Sequence, residues 1–229
     1  MAMIELNNIQ FRWQANAPDT LAIKHLSVKK GEHLFIRGES GSGKTTLLNL
    51  LTGILTPYQG EVNLLGQVIN QQKLSQRDRF RADHLGIIFQ QFNLLPYLSV
   101  LDNVMLPCHF SARRRQKAGQ QINNIRKMAQ ALLMQLGLDP TLQQRPIAAL
   151  SVGQQQRVAV ARALLGQPEI IIADEPTSAL DTNKRNLFLD LLFQQADEQG
   201  STIIFVSHDP YIAERFPRLV ELSELNQAL

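Results

Sequence analysis

Cysteine is almost missing from this chain: Cys108 is the only one in 229 residues. A single cysteine closes no internal disulfide, so the fold must rest on its core, as expected of a protein kept in a reducing compartment. Cys108 itself reads as a small buried apolar side chain. Long apolar runs are missing too. Nothing approaches the roughly eighteen residues of a bilayer-crossing helix, and no secretory core lies near Met1. The chain is therefore expected neither to span a membrane nor to enter a secretory route by itself. Charge of one sign is scarce: 23 Lys and Arg against 20 Asp and Glu leave a net +3. That excess is too mild to establish a nucleic-acid partner, and none is expected. Repeats, low-complexity tracts and long linkers are absent, with the many Gln scattered among apolar residues. A chain that is 44% hydrophobic can bury a sizeable core, and residues 1–229 are read as one domain. The one dense basic run, Arg113-Arg114-Arg115 with Lys117, reads as a solvated loop.

Glycine, by contrast, is concentrated where it matters. Gly38-Glu39-Ser40-Gly41-Ser42-Gly43-Lys44-Thr45 fits the phosphate-loop pattern in full. The glycines let backbone N–H groups approach a nucleotide's phosphates, and the following helix aims its positive end at the anion. Lys44 supplies a point charge to the outer phosphates, and the Thr45 hydroxyl can ligate Mg²⁺, with Thr46 beside it. A dinucleotide fingerprint is excluded, because Gly43 is followed by Lys44-Thr45-Thr46 and not by x-x-Gly.

The surroundings suit the motif. Ile4-Glu5-Leu6 and Leu21 to Val28 read as strands, and His33 to Ile36 is a strand leading into the loop. Thr45 to Leu51 then reads as a helix closed by Gly53, and Gly60 to Gly66 as a strand ending in a turn. In the middle, Ile122, Ile125, Met128, Leu132, Leu133 and Leu136 recur at helical spacing until Gly137, which predicts helical structure. From Glu169 the α/β alternation returns. Ile170 to Ala173 is an apolar strand of the doubly buried kind, delivering Asp174-Glu175, and Ser201 to Val206 is another, followed by the helix-capping pair Asp209-Pro210. A carboxylate at the end of such a strand suits Mg²⁺, which makes Asp174 the candidate ligand and Glu175 the candidate activator of a water. Leu150-Ser151-Val152-Gly153-Gln154 places Ser151 as the N-cap of a helix from about Gly153 to Leu165, stopped by Gly166 and Pro168.

Taken in order, the phosphate loop, Gln90, Leu150 to Gln154, Asp174-Glu175, Ser178-Ala179-Leu180-Asp181 and His208 resemble the ATP-binding-cassette (ABC) ATPases over essentially the whole chain. The resemblance implies an α/β fold: a P-loop NTPase core with an antiparallel β subdomain and an inserted helical subdomain at about 91–160. It implies ATP and Mg²⁺ as cofactors. Gln90 matches the glutamine that senses Mg²⁺ and the attacking water. Asp181 matches a loop that crosses a dimer interface, and His208 matches the residue that contacts the γ-phosphate. Ser151, Gly153 and Gln154 match the signature that caps a nucleotide held by a second copy, so the expected partner is another copy of the chain. Where the family has glycine, this chain has Val152, which excludes glycine-only dihedrals and predicts a negative φ there. Trp13 falls where the family stacks an aromatic ring on adenine.

Phe89-Gln90-Gln91-Phe92-Asn93-Leu94-Leu95-Pro96, with Asn103-Val104, Leu106-Pro107 and Ala173 to Thr177, resembles the lipoprotein-release and macrolide-export group more particularly. That resemblance implies integral membrane permease subunits as partners and a cytoplasmic position on the inner face of the membrane. It also leaves an alternative open, in which the ATPase drives mechanical signalling to cell-envelope enzymes without transport. A soluble DNA-handling ABC ATPase fits less well, since only about a hundred residues separate the two phosphate-binding motifs, without sustained heptads.

Overall fold

The computed structural model describes residues 2–39, 41–178 and 182–228. The chain divides into two compact units, one comprising Met1–Arg81 and Thr202–Leu229, the other Ala82–Ser201.

In the first unit, β1 (Ala2–Phe11) and β2 (Leu21–Lys29) pair antiparallel. β1 also pairs antiparallel with a later strand, β4 (Gln59–Leu64), which turns back into the short β5 (Gln67–Val68). Buried Ile4, Leu6, Ile9 and Phe11 put one side of β1 into the core, as expected of a sheet wetted on its other face. Between these strands, β3 (Leu34–Arg37) leads through the glycine-rich loop into α1 (Lys44–Leu51). β3 is flanked on both sides by parallel partners, β8 (Thr202–Ser207) and β9 (Arg218–Glu221). Burial on both faces explains the unbroken apolar runs Leu34-Phe35-Ile36 and Ile203 to Val206. Phe35, Phe205 and Phe216 close this layer with ring centroids 5.3 to 5.8 Å apart. The short helices α8 (Pro210–Ala213) and α9 (Leu222–Leu225) complete the unit, and α2 (Leu74–His84) carries the chain onward.

The second unit opens with β6 (Leu85–Ile88), which pairs parallel with β7 (Ile170–Asp174). Between them lie α3 (Val100–Phe110), α4 (Ala112–Lys117), α5 (Ile122–Gln135) and α6 (Val152–Leu164), and α7 (Thr182–Gln199) follows. α3, α5 and α6 pack on one another, and Val104, Leu133 and Val158 on these helices are fully buried. Burial of such side chains contributes about 1.5–3 kcal/mol apiece. Ile125, Leu132, Leu133 and Leu136 of the predicted stripe are buried, but Ile122 stands exposed at the start of α5.

The basic run is where the sequence reading fails. Arg113 to Lys117 lies in helix α4 and not in a loop; Arg113, Arg115 and Lys117 are exposed as expected, but Arg114 is only 2% exposed. Its guanidinium donates to the carbonyls of Ala163 and Leu165, each at 3.2 Å, and to that of Leu85. The first two are carbonyls at the end of α6 that the helix itself cannot satisfy, and a cation there also suits the helix dipole. Burial lowers the Arg114 pKa to about 10, which still leaves it charged near neutrality. Arg113 and Lys117 converge with His84 on Glu169, just before β7. Burial works to raise the Glu169 pKa, but the hydrogen bonds from His84, Arg113 and Lys117 outweigh it and hold the carboxyl well below the usual carboxylate range. Cys108 is buried as expected, and loss of water pushes its thiol up to about 11.

Candidate functional site

The phosphate loop is held in shape by its own backbone and side chains. Gly43, the N-cap of α1, has φ +96°, and a Cβ on it would sit 2.9 Å from a Leu21 methyl, so only glycine fits. The Lys44 ammonium donates to the carbonyls of Gly38 and Glu39, both at 2.8 Å, and the Ser42 hydroxyl donates to Glu39 at the same distance. These bonds wrap the loop around the lysine. α1 starts without a side-chain cap and without an acidic residue in its first turn, so its positive end keeps its attraction for an anion. Thr45 is exposed at that turn and its hydroxyl can reach a cation, whereas the Thr46 side chain is buried and offers at most its backbone.

His208 follows β8 directly and is exposed. It lines the same open pocket of ≈ 740 Å³ as Gly38, Glu39, Gly41 and Ser42 of the loop. The structure thus brings together two groups that lie far apart in sequence. An ion pair between Arg37 and Glu221 lies at the same pocket. Trp13 is 62% exposed and stands edge-on to Phe11, with centroids 5.2 Å apart. The turn behind it is braced by groups the sequence reading passed over. Arg12 lies 4.1 Å over the Tyr58 ring and 3.5 Å from Asp19, and Tyr58 donates its hydroxyl hydrogen to the Asp19–Gln10 pair.

The second unit holds the remaining candidates. Ser151 caps α6 with a reciprocal pair of bonds: its hydroxyl accepts from the Gln154 N–H at 3.4 Å, and Gln154 Oε1 accepts from the Ser151 N–H at 2.9 Å. Val152 is the first helical residue, with the negative φ expected, and is half exposed. A Cβ on Gly153 would meet nothing within 4 Å, so the start of the helix is open to an incoming group. Asp174 ends β7, half-buried. Glu175 has φ +41°, in the left-handed region that glutamate seldom enters without constraint. Gln90 is exposed just past β6.

The loop after Gln90 is fixed by two residues that sequence reasoning did not assign. Asn103, fully buried, accepts from the Leu95 N–H at 2.8 Å and donates to the carbonyls of Leu95 and Ser99 at 3.0 Å. Arg162 reaches the carbonyls of Phe92 and Asn93. Ser40 and Asp181, with Ala179 and Leu180, lie outside the described residues. Among the described residues no cluster of His, Cys, Asp or Glu forms a self-contained metal site, and no helix is long and apolar enough to cross a membrane.

Comparison with known proteins gives one consistent answer. The ABC transporter family model matches residues 21–178. The chain is 44% identical over 197 residues to the ABC transporter ATP-binding protein YbbA of Escherichia coli (strain K12), covering 86% of this chain and 83% of that one. It is 36% identical over 222 residues to the lipoprotein-releasing system ATP-binding protein LolD of Francisella tularensis subsp. tularensis (strain FSC 198), covering 96% and 93% respectively. Among solved structures, it resembles a chain of the ATP-binding cassette MJ0796 from its dimeric post-hydrolysis structure bound to ADP and Pi, with a TM-score of 0.85 and 35% identity, over 99% of this chain and 95% of that one.

Proposed function

This chain belongs to the ABC transporter family as an ATP-hydrolysing, ATP-binding subunit, and from that premise we propose that two copies close head to tail around two Mg·ATP and thereby drive separate membrane subunits. The observation that carries this reading is the pocket in which the phosphate loop and His208 face one another. A tail of phosphates in that pocket meets the loop amides, Lys44 and the positive end of α1, which together match its charge. His208, at the far side, is proposed to contact the γ-phosphate. The open start of α6 suits a phosphate approaching from another molecule, which fits Ser151, Gly153 and Gln154 capping the nucleotide of the second copy.

Thr45, Gln90 and Asp174 are the proposed Mg²⁺ ligands, a set of oxygen donors that suits a small hard cation. Bound there, the ion neutralises charge that develops on the phosphates. Glu175 orients the attacking water and accepts its proton. Trp13 stacks on adenine. Similarity to LolD, an ATP-binding protein of a lipoprotein-releasing system, supports substrate release or export as the work performed, with a membrane-embedded partner as its proposed counterpart. Such a partner places the chain at the cytoplasmic face.

The test is Glu175→Gln. With saturating Mg·ATP, in the presence of the membrane subunits, the variant is expected to bind ATP, lose hydrolysis and accumulate as a closed dimer by light scattering. Wild-type turnover in that variant removes the role of Glu175. A strictly monomeric variant removes the sandwich.

A further inference from the structure

Helix α6 does more than present Ser151. Two of its side chains reach the turns that carry Glu175 and Gln90. Gln156, 2% exposed, donates from Nε2 to the carbonyl of Pro176 at 2.7 Å. Pro176 follows Glu175, whose φ of +41° is left-handed. Arg162, near the other end of the helix, donates to the Asn93 carbonyl at 2.6 Å and to the Phe92 carbonyl at 2.5 Å. Phe92 and Asn93 have φ of +58° and +48°, again left-handed, a region that asparagine tolerates and phenylalanine seldom enters. A residue other than Gly, Asn or Asp in that region costs about 1 kcal/mol or more, so Glu175 and Phe92 are held there by their surroundings. In both turns a polar side chain of the same helix supplies such a contact.

We infer that Gln156 and Arg162 are positioning residues: Gln156 holds the Glu175 turn, and Arg162 the Gln90 turn, to the helix headed by Ser151. The inference rests on the roles proposed above for those residues. α6 has 13 residues and is therefore about 20 Å of continuous hydrogen-bonded rod. Each tie is a direct bond to backbone. A charge-assisted pair from a planar guanidinium fixes direction as well as distance, which suits a turn whose following residues must hold Gln90 in place. Gln156 works differently: it is a neutral buried donor whose loss leaves a carbonyl unsatisfied beside Glu175.

The test is amide hydrogen exchange read by mass spectrometry on the full nucleotide-free chain, paired with steady-state ATPase kinetics of the complex with its membrane subunits. Gln156→Met is expected to speed exchange about tenfold in peptides covering 174–178 and leave 90–95 at the wild-type rate; Arg162→Met does the reverse. In both, kcat falls about tenfold while the KM for ATP stays within about twofold. Arg162→Lys, which retains one donor, recovers part of each loss. If a methionine variant does not fold, Gln156→Asn and Arg162→Lys are read the same way with smaller shifts. Exchange that rises evenly over the chain, turns that stay at the wild-type rate, or an unchanged kcat overturns the inference. A wild-type complex that hydrolyses no ATP overturns the functional reading instead, and the exchange pattern still decides whether the turns are tied to the helix.

Discussion

Gly166 and Arg114 fit so closely that a Cβ on the glycine would lie 2.6 Å from the Cβ of the arginine and 2.9 Å from its backbone. Gly166 has φ +78° and directly follows the residues whose carbonyls Arg114 satisfies. The end of α6 and helix α4 are thus fitted to each other by a glycine on one side and a buried cation on the other. Gly166→Ala is expected to destabilise the fold by about 1–3 kcal/mol, through the left-handed φ and overpacking together. Urea unfolding of the purified chain measures it. A midpoint equal to wild type shows that α4 can shift at no cost.

Glu169 makes stability depend on pH in a defined direction. Its folded pKa is depressed, so the unfolded state binds the proton more readily and the contribution is full above the ordinary carboxylate value of 4.5. It is lost as pH falls below that value toward the lower folded one. Glu169→Gln is expected to cost about 2 kcal/mol at pH 7, with the gap to wild type closing progressively below about pH 4.5. Unfolding free energies of both proteins across pH 3.5–7.5 test this. A gap that widens on acidification contradicts it.

Val152 holds the first turn of α6 where the family has glycine, with its side chain half exposed at the proposed contact face. Val152→Gly removes that side chain and is expected to raise kcat roughly threefold, which is under 1 kcal/mol of barrier. The ATP affinity is expected to stay within about twofold, and stability to fall by no more than about 1 kcal/mol. Unchanged turnover marks Val152 as a neutral variant.

Trp13 is the only tryptophan, so intrinsic fluorescence reports on it alone. Because the ring is largely exposed, ATP stacking on it is expected to shift its emission. Trp13→Ala is expected to weaken ATP binding by about 1–3 kcal/mol without changing the melting temperature. Emission that ignores saturating ATP argues against stacking.

Lys44→Ala is expected to abolish or strongly impair nucleotide binding, since it removes the charge proposed to face the outer phosphates and the donor that wraps the loop. Equilibrium binding of labelled ATP measures this, and wild-type affinity in the variant would exclude the loop as the phosphate site.

The strands, the phosphate loop and the Ser151 cap were legible in the chain because their causes are local. An apolar run such as Ile170 to Ala173 states its own burial, glycines state the backbone freedom a loop requires, and Ser151 with Gln154 three residues on states a capping box. The order of motifs likewise pointed to the family without any coordinates. What only tertiary structure decided is where the polar side chains of the second unit end. Arg114 reads as part of a solvated run, and nothing in the sequence singles out Gln156 or Arg162, yet their partners are backbone carbonyls 20 to 70 residues away. A carbonyl is the same at every position, so no residue pattern marks it as a target. Only packing brings one within reach of a buried donor.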